Sequence, residues 1–290
     1  MKHRFLAQAL LPCLAASIAL LPAPKASYAQ LAPAAKGVQL AAHRAVYELT
    51  LDHTGAGSNV SDIRGQLTYD FSGSECQGYT LNTRLVTEIF DRESKPSITD
   101  IRSEAQEDAE GKRFRFNTSQ YVNDKLSENT KGLAVRSPRS RDIVNVELEK
   151  PKRGMLTLSG NVYFPTQHSL AILKAAATGQ TRLQADIYDG SEKGTKIYET
   201  TTVIGAPLEL AANAQLPVIK NSEALDSIQS WPVVVSYYDQ SPKKDGLPAY
   251  EVSFRMYANG VSRKLKLDYG TFSLNGELSA IEFSKTKPCP

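Results

Sequence analysis

Apolar and polar side chains alternate with a period of two along most of this chain, and that rhythm restricts its fold more than any other feature. His43, Ala45, Tyr47, Leu49 and Leu51 fall on one face of an extended segment, with Arg44, Glu48, Thr50 and Asp52 opposite. Gly65, Leu67, Tyr69 and Phe71 form a second such set, and Tyr79, Leu81, Thr83, Leu85, Thr87 and Ile89 a third. Further runs lie at 113–121, 133–136, 143–148, 155–164, 181–188, 196–203, 233–238, 250–257, 262–269 and 277–283. Short strands at this density, punctuated by Gly, Asn, Asp and Pro, predict a mainly β protein. Its sheet should be large and antiparallel, curved or closed so that few edges stay open.

Two connections are written clearly. Ala258-Asn259-Gly260-Val261 joins two alternating runs and predicts a type I′ hairpin. Asp189-Gly190 with Ser191 to Gly194 makes a longer connection of the same kind. One segment departs from the β rhythm. Thr166 is placed as an N-cap after Pro165, Gln167 to Ala177 is rich in Ala and Leu, and Gly179 stands where a helix would stop. Leu170, Ile172, Leu173 and Ala177 supply an apolar stripe, so the sheet is expected to wrap around this helix. Weaker helical signals lie at 211–215 and 222–228. No shift of composition marks a linker, and residues 30–290 read as a single β-rich domain.

Residues 1–29 read as a cleaved secretory signal. Lys2, His3 and Arg4 precede an apolar run from Phe5 to Leu21, and Ser27-Tyr28-Ala29 fits the small-x-small rule for cleavage. The run holds Gln8 and Pro12 and falls short of the roughly twenty residues that span a bilayer. Processing changes the charge. The chain carries 34 basic and 31 acidic residues, and removing Lys2, Arg4 and Lys25 leaves 31 of each. A neutral mature chain lacks the field that nucleic-acid binding requires. No later apolar segment has membrane-spanning length, so the mature chain is expected not to span a membrane.

Three cysteines are present. Cys13 lies inside the apolar run after Pro12 and reads as part of the signal rather than a lipidation site. Cys76 and Cys289 remain in the mature chain. In an oxidising compartment a lone pair of thiols is most simply one disulfide; unpaired thiols, intermolecular bridges or half of a metal site are the alternatives. No CxxC or HxxxH spacing supports zinc.

Catalytic patterns are absent as well. GxSxG, phosphate-binding glycine loops, HExxH and the calcium loop do not occur. The acid pairs Glu75 with Glu88 and Asp91 with Glu93 read as turn and outer-face charges. His168 lies in the first helical turn, where holding the turn by hydrogen bonding is the simpler role than catalysis. His43 opens the first strand and is expected to anchor the chain there. Trp231 reads as core. These readings assign no catalytic, cofactor-binding or metal residue.

Several elements in order carry a resemblance. They are Ala42-His43-Arg44-Ala45-Val46-Tyr47, Gly73-Ser74-Glu75-Cys76-Gln77-Gly78-Tyr79, the Phe164-Pro165-Thr166-Gln167-His168 run before the Ala-rich helix, Asn259-Gly260-Val261 followed by Leu267-Asp268-Tyr269, and the terminal Cys289. Over nearly the whole mature chain this set resembles the EipB family of alphaproteobacterial periplasmic cell-envelope integrity proteins. The resemblance implies a β-spiral or open barrel around a helix, broadly like the lipoprotein carriers LolA and LolB. It implies a disulfide between Cys76 and Cys289, a periplasmic location, a part in envelope stability and stress resistance, and a tetratricopeptide-repeat protein as partner. The expected function is non-catalytic support of the envelope through protein contacts. Carriage of a lipid or lipoprotein acyl chain is the alternative, and an enzyme acting on an envelope polymer the third reading.

Overall fold

A computed structural model of the chain describes residues 38–93, 95–213, 215–239, 246–285 and Cys289, so the expected signal segment at 1–29 lies outside the described residues. Nine strands precede the helix: β1 (His43–Thr54), β2 (Val60–Ser74), β3 (Gly78–Asp91), β4 (Pro96–Glu107), β5 (Arg113–Val122), β6 (Lys125–Arg136), β7 (Ile143–Lys150), β8 (Gly154–Ser159) and β9 (Val162–Tyr163). Helix α1 (Pro165–Ala177) follows. Among the described residues six strands follow: β10 (Arg182–Ile187), β11 (Tyr198–Ile204), β12 (Ser230–Asp239), β13 (Tyr250–Tyr257), β14 (Ser262–Asp268) and β15 (Phe272–Phe283).

All fifteen strands belong to one sheet, ordered β8 back to β1 and then β15 down to β9. Pairing is antiparallel throughout except between β9 and β10, which α1 separates in sequence and which pair parallel. β1 pairs with β2 on one side and β15 on the other, so the first and last strands meet in the middle of the sheet. Its two ends, β8 and β9, are neighbours in sequence. The outcome is the expected curved sheet, rolled into a nearly closed, barrel-like body around one helix.

The alternation read from the sequence is the inward–outward pattern of the sheet. In β1 the side chains of His43, Ala45, Tyr47 and Leu49 are buried while Arg44, Glu48 and Thr50 are exposed. Helix α1 buries Ile172, Leu173, Ala175 and Ala176 against Phe71, Tyr79, Trp231, Val233 and Met256. Leu170 is only partly buried and Ala177 faces outward, so the stripe is turned slightly from its expected position. A second apolar cluster, including Phe114, Phe116, Val146, Leu158, Phe164 and Tyr188, fills the seam where the sheet ends approach.

Four local expectations need correction. β4 was not apparent as a strand, because its inward positions are Ser97, Thr99, Ile101, Ser103, Ala105 and Glu107, nearly all small or polar. They are satisfied by neighbours rather than by oil-like packing; Ser103 Oγ lies 2.8 Å from Thr118 Oγ1. The Asn259-Gly260 turn is not type I′. Only Gly260 has positive φ (86°), and its N–H bonds the Tyr257 carbonyl at 2.8 Å, a type I turn closed by a glycine bulge. Asn123-Asp124, between β5 and β6, is a two-residue turn with both φ positive, at 48° and 62°. The segments around 211–215 and 222–228 make only single 3₁₀ turns, Leu210–Ala212 and Ser222–Leu225.

The fourth correction concerns the start of α1. Phe164 is the N-cap, Pro165 opens the helix, and no side chain of the N-cap bonds the free N–H groups. Glu107 of β4 takes that role from across the barrel. Its carboxylate accepts the N–H of Thr166 at 2.6 Å and of Gln167 at 3.3 Å. The helix ends as expected: Gly179 adopts φ 74°, and the N–H groups of Gly179 and Gln180 bond the carbonyls of Ala176 and Ala175.

Arg136 ties the seam together. Its guanidinium donates to the carbonyls of Gly111 at 3.3 Å, Arg141 at 2.7 Å and Val162 at 2.7 Å, and it lies over the Phe164 ring at 5.3 Å. These bonds connect the β4–β5 turn, the β6–β7 loop and β9, which no sheet ladder joins. Arg136→Ala should therefore lower stability by roughly 2 kcal/mol, the scale of lost hydrogen bonds to a charged group. Urea unfolding measures it, and an unchanged midpoint would refute the seam role.

Candidate functional site

The inward faces of the sheet and the first turn of α1 leave a cavity of about 260 Å³. β1 supplies His43, β2 supplies Tyr69 and Phe71, and β3 supplies Leu81. From α1 come Thr166, His168 and Ser169. Asp189 stands at the end of β10, and Tyr237 and Tyr250 project from β12 and β13. Larger hollows of about 650 and 660 Å³ lie beside the Arg136 seam and beside the β2–β3 turn.

The aromatic wall is continuous. Tyr237 and Tyr250 stack with centroids 4.4 Å apart, and Tyr198 packs edge-on to both at 5.9 and 5.6 Å. Across the cavity His43 stacks on Tyr69 at 5.6 Å and Phe71 on Tyr79 at 5.6 Å. Such rings contribute beyond their buried area through quadrupole alignment.

Both imidazoles are neutral. His43 donates from Nδ1 to the Ala41 carbonyl at 2.7 Å, anchoring the chain at the start of β1 as expected, and burial lowers its pKa. His168 is buried too, and desolvation lowers it to about 4. Its Nε2 has no hydrogen-bond partner, so it does not hold the turn by hydrogen bonding as the sequence suggested. It packs against Tyr163 instead.

Acidic groups set the polarity. Asp189 Oδ1 accepts the Ser191 N–H at 2.9 Å, and its charge raises the pKa of Tyr198, Tyr237 and Tyr250 in addition to their burial. The Asp189 loop is pressed inward through Gly190, whose φ is 74° and where a Cβ would lie 2.4 Å from Phe116. Glu107 lies behind Thr166, and burial raises its carboxyl to about 7.

The acid pairs weighed earlier do not form a site. Asp91 shapes a turn by accepting the N–H groups of Glu93 and Lys95, and Glu93 pairs with Lys95. Among the described residues no group of three or more His, Cys, Asp or Glu could hold a metal ion, and no helix is long and apolar enough to cross a membrane. Cys76, in the β2–β3 turn, and Cys289 are joined as a disulfide with Cα atoms 5.8 Å apart. Glu107, Asp189 and the tyrosine wall carried no sequence signal as a group, since they come from strands far apart in the chain.

Comparison with known proteins adds kinship. The family model described as EipB-like matches residues 34–285. The cell envelope integrity protein EipB of Brucella abortus (strain 2308) is 36% identical over 261 residues, covering 90% of each chain. A crystal structure of a β-barrel-like protein of a domain of unknown function, also from Brucella abortus, superposes with a TM-score of 0.76 at 34% identity. It covers 86% of this chain and 100% of its own. The chain therefore belongs to the EipB-like family.

Proposed function

We propose that the protein is an exported, non-catalytic periplasmic component that supports cell-envelope integrity through contacts made by its rigid barrel. The observation that carries this reading is kinship across nine-tenths of both chains with a protein named for envelope integrity. A body whose first and last strands pair and whose Cys76–Cys289 disulfide adds a covalent tie suits a mechanical or docking role. A tetratricopeptide-repeat protein is the proposed partner. Acyl-chain carriage is supported less well, because the cavity of about 260 Å³ is below the ~300 Å³ at which ligand pockets begin and contains an acid and two imidazoles.

Deleting the gene should raise sensitivity to detergents and cell-wall antibiotics, and a plasmid copy should restore resistance. Unchanged sensitivity would remove the envelope role. Release of soluble fragments from isolated sacculi would remove the non-catalytic one.

A further inference from the structure

We infer that the interior cavity is a binding site for a small organic cation, an ammonium group on a short apolar stem. Electron-rich ring faces attract ammonium groups, most strongly where water is excluded. Here four aromatic rings line one space, Tyr237 stacked with Tyr250 and Tyr69 with Phe71. The Asp189 carboxylate lies on the same wall.

The remaining lining groups agree in sign. Among the described residues no Lys or Arg lines the cavity, and His43 and His168 are neutral. With Nδ1 committed to the Ala41 carbonyl, His43 keeps Nε2 as an acceptor. The start of α1 would ordinarily favour an anion, but Glu107 already occupies its N–H groups at Thr166 and Gln167. The tyrosine group also holds one cation on its outer side. Lys196 Nζ sits 4.7 Å from the Tyr198 ring centroid and 3.1 Å from Asp239. A volume of about 260 Å³ suits a small amine and leaves no room for a full lipid.

The test uses the mature, disulfide-bonded protein in isothermal titration with choline and n-butylammonium, and with 3,3-dimethylbutan-1-ol as the neutral isostere of choline. At least one cation should bind, and the neutral isostere about tenfold more weakly or not at all. Asp189→Asn keeps an oxygen to accept the Ser191 N–H, so folding is preserved, which a melting curve checks. It should weaken cation binding by about tenfold. Equal binding of the isostere, full affinity in a folded Asp189→Asn protein, or no binding of either cation would each overturn the site. The envelope phenotype does not enter this result, so the two readings fail separately.

Discussion

Replacing both Cys76 and Cys289 with serine should lower the melting temperature by roughly ten degrees. The bridge joins positions 213 residues apart. Closing so long a loop in the unfolded chain corresponds to about 5 kcal/mol in the chain-entropy model, an upper figure. For a domain of this size each kcal/mol moves the midpoint roughly 2–4 °C. The position of the bond matters as much as its length. β15 ends beside the start of β1, His43 opposite Phe283, and β1 lies beside β2, His43 opposite Phe71. The disulfide continues past that junction to the β2–β3 turn and so clamps the place where the two ends of the chain meet. Amides near Ile281 and Phe283 should then exchange with solvent faster in the serine protein, and the terminal residues should become sensitive to protease. Identical melting and identical exchange in the two proteins would show that hydrogen bonding between β1 and β15 is sufficient alone.

The strands that were legible in the sequence are those with one apolar face. β1, β2 and β3 declared themselves because Ala45, Tyr47, Leu49, Leu67, Phe71 and Leu81 repeat every second residue. β4 did not, since a strand lined by Ser97, Thr99 and Ser103 has no hydropathy contrast to read. The helix was visible in its Ala and Leu content and in Gly179, whereas its N-cap was not. That cap is a tertiary contact, supplied by a residue 59 positions earlier. The same distance hid the cavity. Asp189 and Tyr69 are each unremarkable in a local window, and only the strand order, with β1 against β15, brings their walls together. Turn type was decided by backbone detail, so Asn259-Gly260 did not form the type I′ turn expected of it, while Asn123-Asp124, on which no expectation was placed, has both φ positive.

Glu107 provides the second large effect, because one carboxyl group is both buried and the cap of α1. Glu107→Ala leaves the N–H groups of Thr166 and Gln167 unpaired inside the barrel, so it should cost about 2–4 kcal/mol below pH ~5 and progressively less at higher pH, where wild type loses the proton-linked part of its stability. Glu107→Gln keeps an accepting oxygen and removes the ionisation. Burial raises the folded pKa from 4.5 to about 7, more than the hydrogen bonds from Thr166 and Gln167 lower it, and the charge of Asp108 raises it further. A folded pKa above the unfolded one means that the folded state holds the proton more tightly. The contribution is complete below pH ~4.5, where both states are protonated, and falls as the unfolded chain ionises first. It is gone once the pH has passed through about 7. The loss over that window is roughly 3 kcal/mol at most. Wild-type stability measured by urea unfolding should therefore decline between pH 5 and 8 more steeply than that of Glu107→Gln, which should equal or exceed wild type at pH 8. Parallel pH profiles for the two proteins would mean that Glu107 is already ionised well below neutrality, held as a carboxylate by the helix N-terminus it caps.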